Sequence, residues 1–299
     1  MEPITTVDPL ISRGVFLLAQ TLTPTEEPAV DWVDFDQAVD RDAGPLASLR
    51  RRFGLDLFEV QCVLLCLARY LHPRLAAVLR DASQDLDSQG LSVGLALQTF
   101  CDDADDRAMA HHAFLSSGRL VRHGVVRIGE ALLDMPEGLI ARRFDLTAPA
   151  RCHLLGQDEL SEHAARWARL ERPKVQLSNV IVGSDKLETV RELVTDHTSF
   201  RQTLAHWQLD HVVPYGHGLT LLFSGPSGTG KTLLAQALAS YAARPLLSVS
   251  ALDLPAQDGF EAVLMDLFVE AGIRDAFILF DECDAVFGRG DARRAAVLR

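Results

Sequence analysis

Lysine is scarce in this sequence: three residues in 299, against 26 arginines. Cysteine is sparse as well. The five cysteines (Cys62, Cys66, Cys101, Cys152, Cys283) are odd in number, and no CxxC pair occurs. That spacing excludes a disulfide framework and predicts reduced thiols in a cytoplasmic protein. His111-His112 and Cys152-His153 are adjacent pairs without ligand spacing, so no zinc centre is expected. Met1 to Asp8 lacks the charged-then-apolar order of a signal peptide. No apolar run approaches the ~20 residues that cross a bilayer, and the nearest, Val60 to Leu71, is interrupted by Gln61 and Arg69. Positive charge is missing overall. The net charge is −12, divided at residue 155 as −7 and −5. Neither part carries the basic surface of a strong nucleic-acid binder. Internal repeats and low-complexity tracts are absent.

One of the three lysines stands in Gly225-Pro226-Ser227-Gly228-Thr229-Gly230-Lys231-Thr232. The apolar run Leu219 to Ser224 precedes it and reads as a strand. Leu233 to Ala239 follows and reads as a helix. Strand, glycine loop and helix with G-x-x-x-x-G-K-[ST] spacing make a phosphate-binding loop. The glycines let backbone N–H groups point at one centre, and the helix N-terminus adds partial positive charge. Lys231 can reach the β- and γ-phosphates, and the Thr232 hydroxyl can ligate Mg²⁺. A slim point charge suits a tight loop better than the planar fork of arginine. Gly225 through Thr232, with Leu233 beside them, are the expected nucleotide contacts.

Taken in order, residues 1–44 read as a helix around Gly14 to Ala19, followed by an acidic, partly extended connection from Asp31 to Asp42. Residues 45–82 read as helices. Asp56 and Glu59 have capping-box spacing, and Leu57, Val60, Leu64, Leu67 and Leu71 recur on one face. Pro73 opens the next helix, and Leu91 to Phe100 is a further short one. Asp102, Asp103, Asp105 and Asp106 read as a solvated helix cap, with cation binding the alternative. Leu120-Val121-Arg122 and Val125 to Ile128, joined by His123-Gly124, predict a β-hairpin, and Phe144-Asp145-Leu146 a third strand. Helices followed by such a hairpin predict a winged-helix-like domain over 45–155. Its acidity and scattered arginines favour protein docking over nucleic acid. Arg119, Arg122 and Arg127 are the candidates for a phosphate-contacting wing, and Arg50-Arg51-Arg52 is the other basic spot. Residues 156–178 read as a polar, helix-compatible linker.

Residues 179–299 alternate strand and helix. Val180-Ile181-Val182-Gly183 precedes a helix from Lys186 to about His197, and Phe200 to Val213 holds another helical segment, with Trp207. After the loop, Pro245 to Val249 predicts a strand, Phe260 to Gly272 a helix, and Ala276 to Phe280 a strand buried on both faces. β-α-β-α-β order predicts a parallel sheet with right-handed crossovers. Asp281 ends the last strand, beside the glycine loop in such a sheet. It can hold Mg²⁺, and Glu282 can orient and polarise an attacking water.

Gly225–Thr232 together with Phe280-Asp281-Glu282-Cys283-Asp284-Ala285-Val286-Phe287-Gly288 resembles an AAA+ ATPase, over about 178–299. The N-terminal part is similar, more loosely, to a bacterial group of AAA ATPases with an N-terminal winged-helix domain. The resemblance implies an α/β P-loop NTPase core behind a mostly helical winged-helix-like domain. It implies ATP rather than GTP, with Val182 and Gly183 against adenine. It also implies a homo-oligomeric ring, a hexamer if the module is complete, acting on a protein partner. The family's sensor strand, arginine finger and helical lid cannot be located before Arg299, so a fragment or incomplete ATPase is expected. Leu254 to Gly259 holds no aromatic residue before the glycine, which departs from the pore loop of threading proteins. Arg289, Arg293 and Arg294 face either a neighbouring subunit or solvent. Two other readings compete: a nucleic-acid-associated ATPase, and a nucleotide-dependent scaffold with little turnover.

Overall fold

Two units, Met1–Asp158 and Glu159–Arg299, divide the chain. The computed structural model describes residues 8–22, 31–82, 91–129, 138–157, 159–206, 218–254 and 259–283. Pro24, Pro28, Trp207, Pro214, residues 255–258 and everything from Asp284 onward, including Phe287, Arg289, Arg293 and Arg294, lie outside the described residues.

In the first unit, α1 spans Pro9–Leu22 and is capped by Asp8, whose carboxylate accepts the Leu10 N–H at 2.8 Å. The acidic stretch expected to be partly extended is helix α2, Trp32–Arg41. Asp31 caps it by accepting the Asp34 N–H at 2.9 Å. Phe35 and Val39, four apart, bury its inner face while the carboxylates stay on the outer one. α3 (Pro45–Phe53) follows, then α4 (Leu57–Leu71), in which every residue from Glu59 to Ala68 is buried. The Asp56–Glu59 capping box forms in both directions, at 2.9 and 3.0 Å. α4 is thus the axis of the unit, and α5 (Pro73–Ala82) turns off it at Pro73.

The short strand β1 (Leu91–Ser92) leads into α6 (Val93–Phe100). Asp103 caps α7 (Ala104–Ala110) through the N–H groups of Asp105 and Asp106. The aspartate cluster is therefore a helix start, and no metal-holding group of His, Cys, Asp or Glu occurs among the described residues. The hairpin expected over 120–128 is not there. Arg119–Arg122 is a one-turn helix, α8, with Leu120 buried and Arg119 drawn to the start of α4. His123-Gly124 links it to β2 (Val126–Ile128), which pairs antiparallel with β3 (Arg143–Leu146). β1 pairs with the other edge of β3, giving the order β1-β3-β2. α9 (Ala148–Leu154) closes the unit under a Thr147 cap. A mostly helical unit with a small antiparallel sheet is the architecture the sequence predicts, with a different strand leading the wing.

The second unit begins with a strand where a linker is expected. The expected linker contains β4 (Ala168–Glu171), which pairs antiparallel with β5 (Leu246–Ser250). Between them come α10 (Ser184–His206) and α11 (Lys231–Tyr241). α12 (Phe260–Arg274) then leads to β6 (Phe277–Asp281), parallel to β5 from Leu246↔Phe277 to Ser250↔Asp281. The described sheet is β4-β5-β6. Alternate residues of β6 serve its two faces. Ile278 and Phe280 pack with Leu247, Val249 and the α12 side chains Val263, Leu264 and Leu267. Phe277 packs on the other side with Leu234, Ala237 and Leu238 of α11. β6 is half-buried along its length rather than fully buried, because among the described residues only β5 pairs with it. Leu219 to Ser224, expected as a strand, has no ladder partner among the described residues and is irregular. It keeps a strand's alternation: Leu219, Leu221 and Phe223 pack toward α11, while Leu222 is exposed.

Candidate nucleotide-binding site

The glycine loop joins the Leu219–Ser224 segment to α11. Gly228 and Gly230 have φ of +80° and +85°, and a Cβ at either would meet nothing within 4 Å. Backbone conformation, not crowding, demands glycine there. Gly230 is the residue before α11, and its carbonyl accepts the Leu234 N–H at 2.9 Å. Gly225 through Thr229 are exposed, so the loop is open to a ligand. The Thr229 hydroxyl donates back to the Pro226 carbonyl at 2.9 Å and pins the turn. The Lys231 ammonium donates to the carbonyls of Gly225 and Pro226, at 2.9 and 2.8 Å. The cation thus sits within its own loop, where phosphate oxygens would be stronger acceptors than two carbonyls.

The acids arrive from β6. Its last residue, Asp281, accepts the Thr232 hydroxyl at 2.9 Å through one carboxylate oxygen. The other oxygen accepts the Glu282 N–H at 2.9 Å. Two residues 49 positions apart therefore meet as a pair of hard oxygen donors at the first turn of α11. The pair fits Mg²⁺, which takes one or two protein oxygens and leaves its other positions to phosphate and water. Glu282 follows with a left-handed backbone, φ +56°, that turns the chain at the strand end. Cys283, next to it, donates its thiol to the Phe280 carbonyl.

Val182 packs in the same cluster as Leu234 and Leu238 of α11, whereas Ile181 is fully exposed. Gly183 is exposed, and its carbonyl accepts the N–H groups of Lys186 and Leu187 at the start of α10. Val182 thus shares a core with the glycine-loop helix; Ser227 in the loop and Leu233 in the first turn of that helix are exposed. Arg119, one of the arginines named as a possible wing, belongs to the first unit and is engaged, as are Arg50 and Arg51 of the other basic spot. Arg119 bonds the Gly54 carbonyl, Asp56 and Glu59. Arg50 bonds Asp36 at 2.6 Å, and Arg51 the Asp42 carbonyl.

A lysine-bearing glycine loop at a helix start, with an acid from a parallel strand against the Thr232 hydroxyl, is the arrangement of a P-loop. Residues 221–298 match the family model "ATPase family associated with various cellular activities (AAA)", and residues 37–168 match "Winged helix domain, variant". The chain thus carries a region of the AAA ATPase family behind a region matching a winged-helix domain. It is 31% identical over 134 residues to the replication factor C large subunit of Picrophilus torridus, covering 43% of this chain and 29% of that protein. It is 37% identical over 134 residues to the ATP-dependent zinc metalloprotease FtsH of Rubrobacter xylanophilus, covering 43% of this chain and 19% of that protein. An FtsH of Cutibacterium acnes is 36% identical over 107 residues, covering 34% of this chain and 13% of that protein. The chain spans less than a third of the length of these relatives. No solved structure matches.

Sequence reasoning missed three pairs in the second unit. Glu270 and Arg274 of α12 are buried together, with Glu270 accepting the Ser161 N–H at 2.7 Å. Gln236 of α11 donates to Glu171 at 3.2 Å. Arg244 bonds Asp275. Only Glu270 left a trace: a carboxylate amid the apolar positions of α12.

Proposed function

We propose that the chain binds ATP with Mg²⁺ and hydrolyses it, and that turnover remodels or assembles a protein partner. The observation that carries this reading is the Thr232–Asp281 contact at 2.9 Å, which joins the start of the glycine-loop helix to the end of β6, where both acids stand. Lys231 exchanges two loop carbonyls for phosphate oxygens. The N–H groups of the loop and of the α11 start hold the remaining phosphate charge. Thr232 and Asp281 would hold Mg²⁺, which when bound neutralises developing charge on the phosphates. Glu282 orients the attacking water and accepts its proton. Val182 and Gly183 flank the base, and assembly into a homo-oligomeric ring would bring neighbouring chains to the site. The FtsH relatives are ATP-dependent by name, and the replication factor C relative is by name a subunit of a larger assembly.

A protein partner is favoured over nucleic acid. The first unit is acidic, and Arg50 and Arg119 spend their guanidinium groups on internal carboxylates. The binding half of the proposal is tested by titrating a fluorescent ATP analogue. Lys231→Ala is expected to weaken binding at least a hundredfold with the melting temperature unchanged. Equal affinity in variant and wild type would contradict it.

A further inference from the structure

The glycine-loop helix and the acid-bearing strand are tied at both ends. At the ligand end Thr232 bonds Asp281. At the far end the chain leaves α11 through Ala242-Ala243, and Arg244 turns onto the start of β6. Its Nε donates to the Asp275 carbonyl at 3.0 Å, and its Nη2 donates to the Asp275 carboxylate. Its guanidinium lies 4.9 Å from the centre of the Phe277 ring, on the first residue of β6. The Arg244 side chain is 10% exposed.

The backbone at this point supports the same reading independently. α11 ends with the Arg244 N–H bonded to the Ala239 carbonyl, and α12 with the Ala276 N–H bonded to the Ala271 carbonyl. Both are the six-to-one bond of a Schellman end, where glycine is usual. Here Ala243 and Asp275 take the left-handed positions, at φ +53° and +56°. Such residues persist where their surroundings over-determine the backbone. The Arg244–Asp275 contact lies between the two turns and supplies that constraint.

We propose that Arg244 is a positioning residue that fixes the tilt of α11 against β6 and thereby the Thr232–Asp281 spacing; this rests on the ATPase reading. α11 has 11 residues and β6 five, so each rod is about 16 Å long. A tilt of about 5° at the Arg244 end moves Thr232 by about 1.4 Å, and a misplacement of about 1 Å at a reacting centre costs on the order of a hundredfold in rate. The flat guanidinium supplies two directed donors and a stacking face. A lysine supplies the charge alone.

The test uses the full-length protein as wild type, Arg244→Ala, Arg244→Lys and Asp275→Ala. Phosphate release is measured across a Mg²⁺ titration, and binding of a fluorescent ATP analogue is measured in EDTA. The expected result is a kcat at least tenfold lower and a Mg²⁺ half-activation at least threefold higher in each variant. Mg²⁺-free affinity should stay within twofold. Arg244→Lys carries the test if Arg244→Ala does not fold. Kinetics within twofold of wild type in Arg244→Lys and Asp275→Ala would overturn the proposal. So would a Mg²⁺-free affinity that falls as far as kcat, which marks general damage to the site. If wild type binds the analogue without turning over, the hydrolysis reading fails by itself. The proposal is then judged by the Mg²⁺ concentration at half-maximal enhancement of binding, where an unshifted value overturns it.

Discussion

At the scale of single residues, buried charge decides most. Glu59 is 2% exposed at the start of α4. Burial first, then the Asp56 carboxylate, pushes its carboxyl up to about 7, against smaller downward pulls from the Asp56 N–H and from Arg119. The folded state therefore holds this proton more tightly than the unfolded chain, whose value is 4.5. That stability is fully present below about pH 4.5 and is lost as pH rises through about 7. Glu59→Gln keeps the capping-box geometry without the charge. Urea midpoints of the first unit are expected to fall across this window in wild type and to stay flat in Glu59→Gln. Parallel profiles would contradict the assignment. Burial likewise pushes the Cys62 and Cys66 thiols up, which makes them inert core residues rather than nucleophiles.

At the scale of elements, the glycine loop was fully legible because its spacing encodes a backbone conformation. Gly230→Ala places a Cβ at φ +85° in open space, so its cost is conformational, about 1–2 kcal/mol. It is expected to weaken ATP-analogue binding at least tenfold while the protein stays folded by circular dichroism. Periodicity also found α4, α12, β5 and β6. It failed at Leu219–Ser224, where an apolar run reads as a strand but has no ladder partner among the described residues. It failed at Leu120–Arg122, where an apolar dyad reads as a strand until Arg119 is seen to bond the start of α4. β4 was missed because Ala-Arg-Leu-Glu is short and polar; its pairing with β5 and the anchor at Ser161 make it a strand. Glu270→Ala leaves Arg274 buried without its ion-pair partner, 5% exposed, and is expected to destabilise the second unit by about 3 kcal/mol. A thermal melt within 1 °C of wild type would count against that anchor.

At the scale of the whole molecule, composition excluded more than it assigned. It set aside disulfide scaffolds, and among the described residues no single helix is long and apolar enough to cross a membrane. The division into two units at residue 158 was visible only approximately, because β4 lies where the composition reads as linker. Two unfolding transitions are expected in calorimetry, one for each unit. Mg²⁺-ATP at a hundred times its dissociation constant should stabilise only the transition of Glu159–Arg299, by about 2.7 kcal/mol. An equal shift of both would show that the ligand is not confined to the second unit. What the enzyme reading finally needs is a carboxylate that manages water, and Glu282 is the residue assigned to that task. The most direct measurement is steady-state phosphate release by Glu282→Gln at an ATP concentration that saturates both variant and wild type. Turnover at least a hundredfold slower with ATP still bound is the predicted result; unchanged turnover would contradict it.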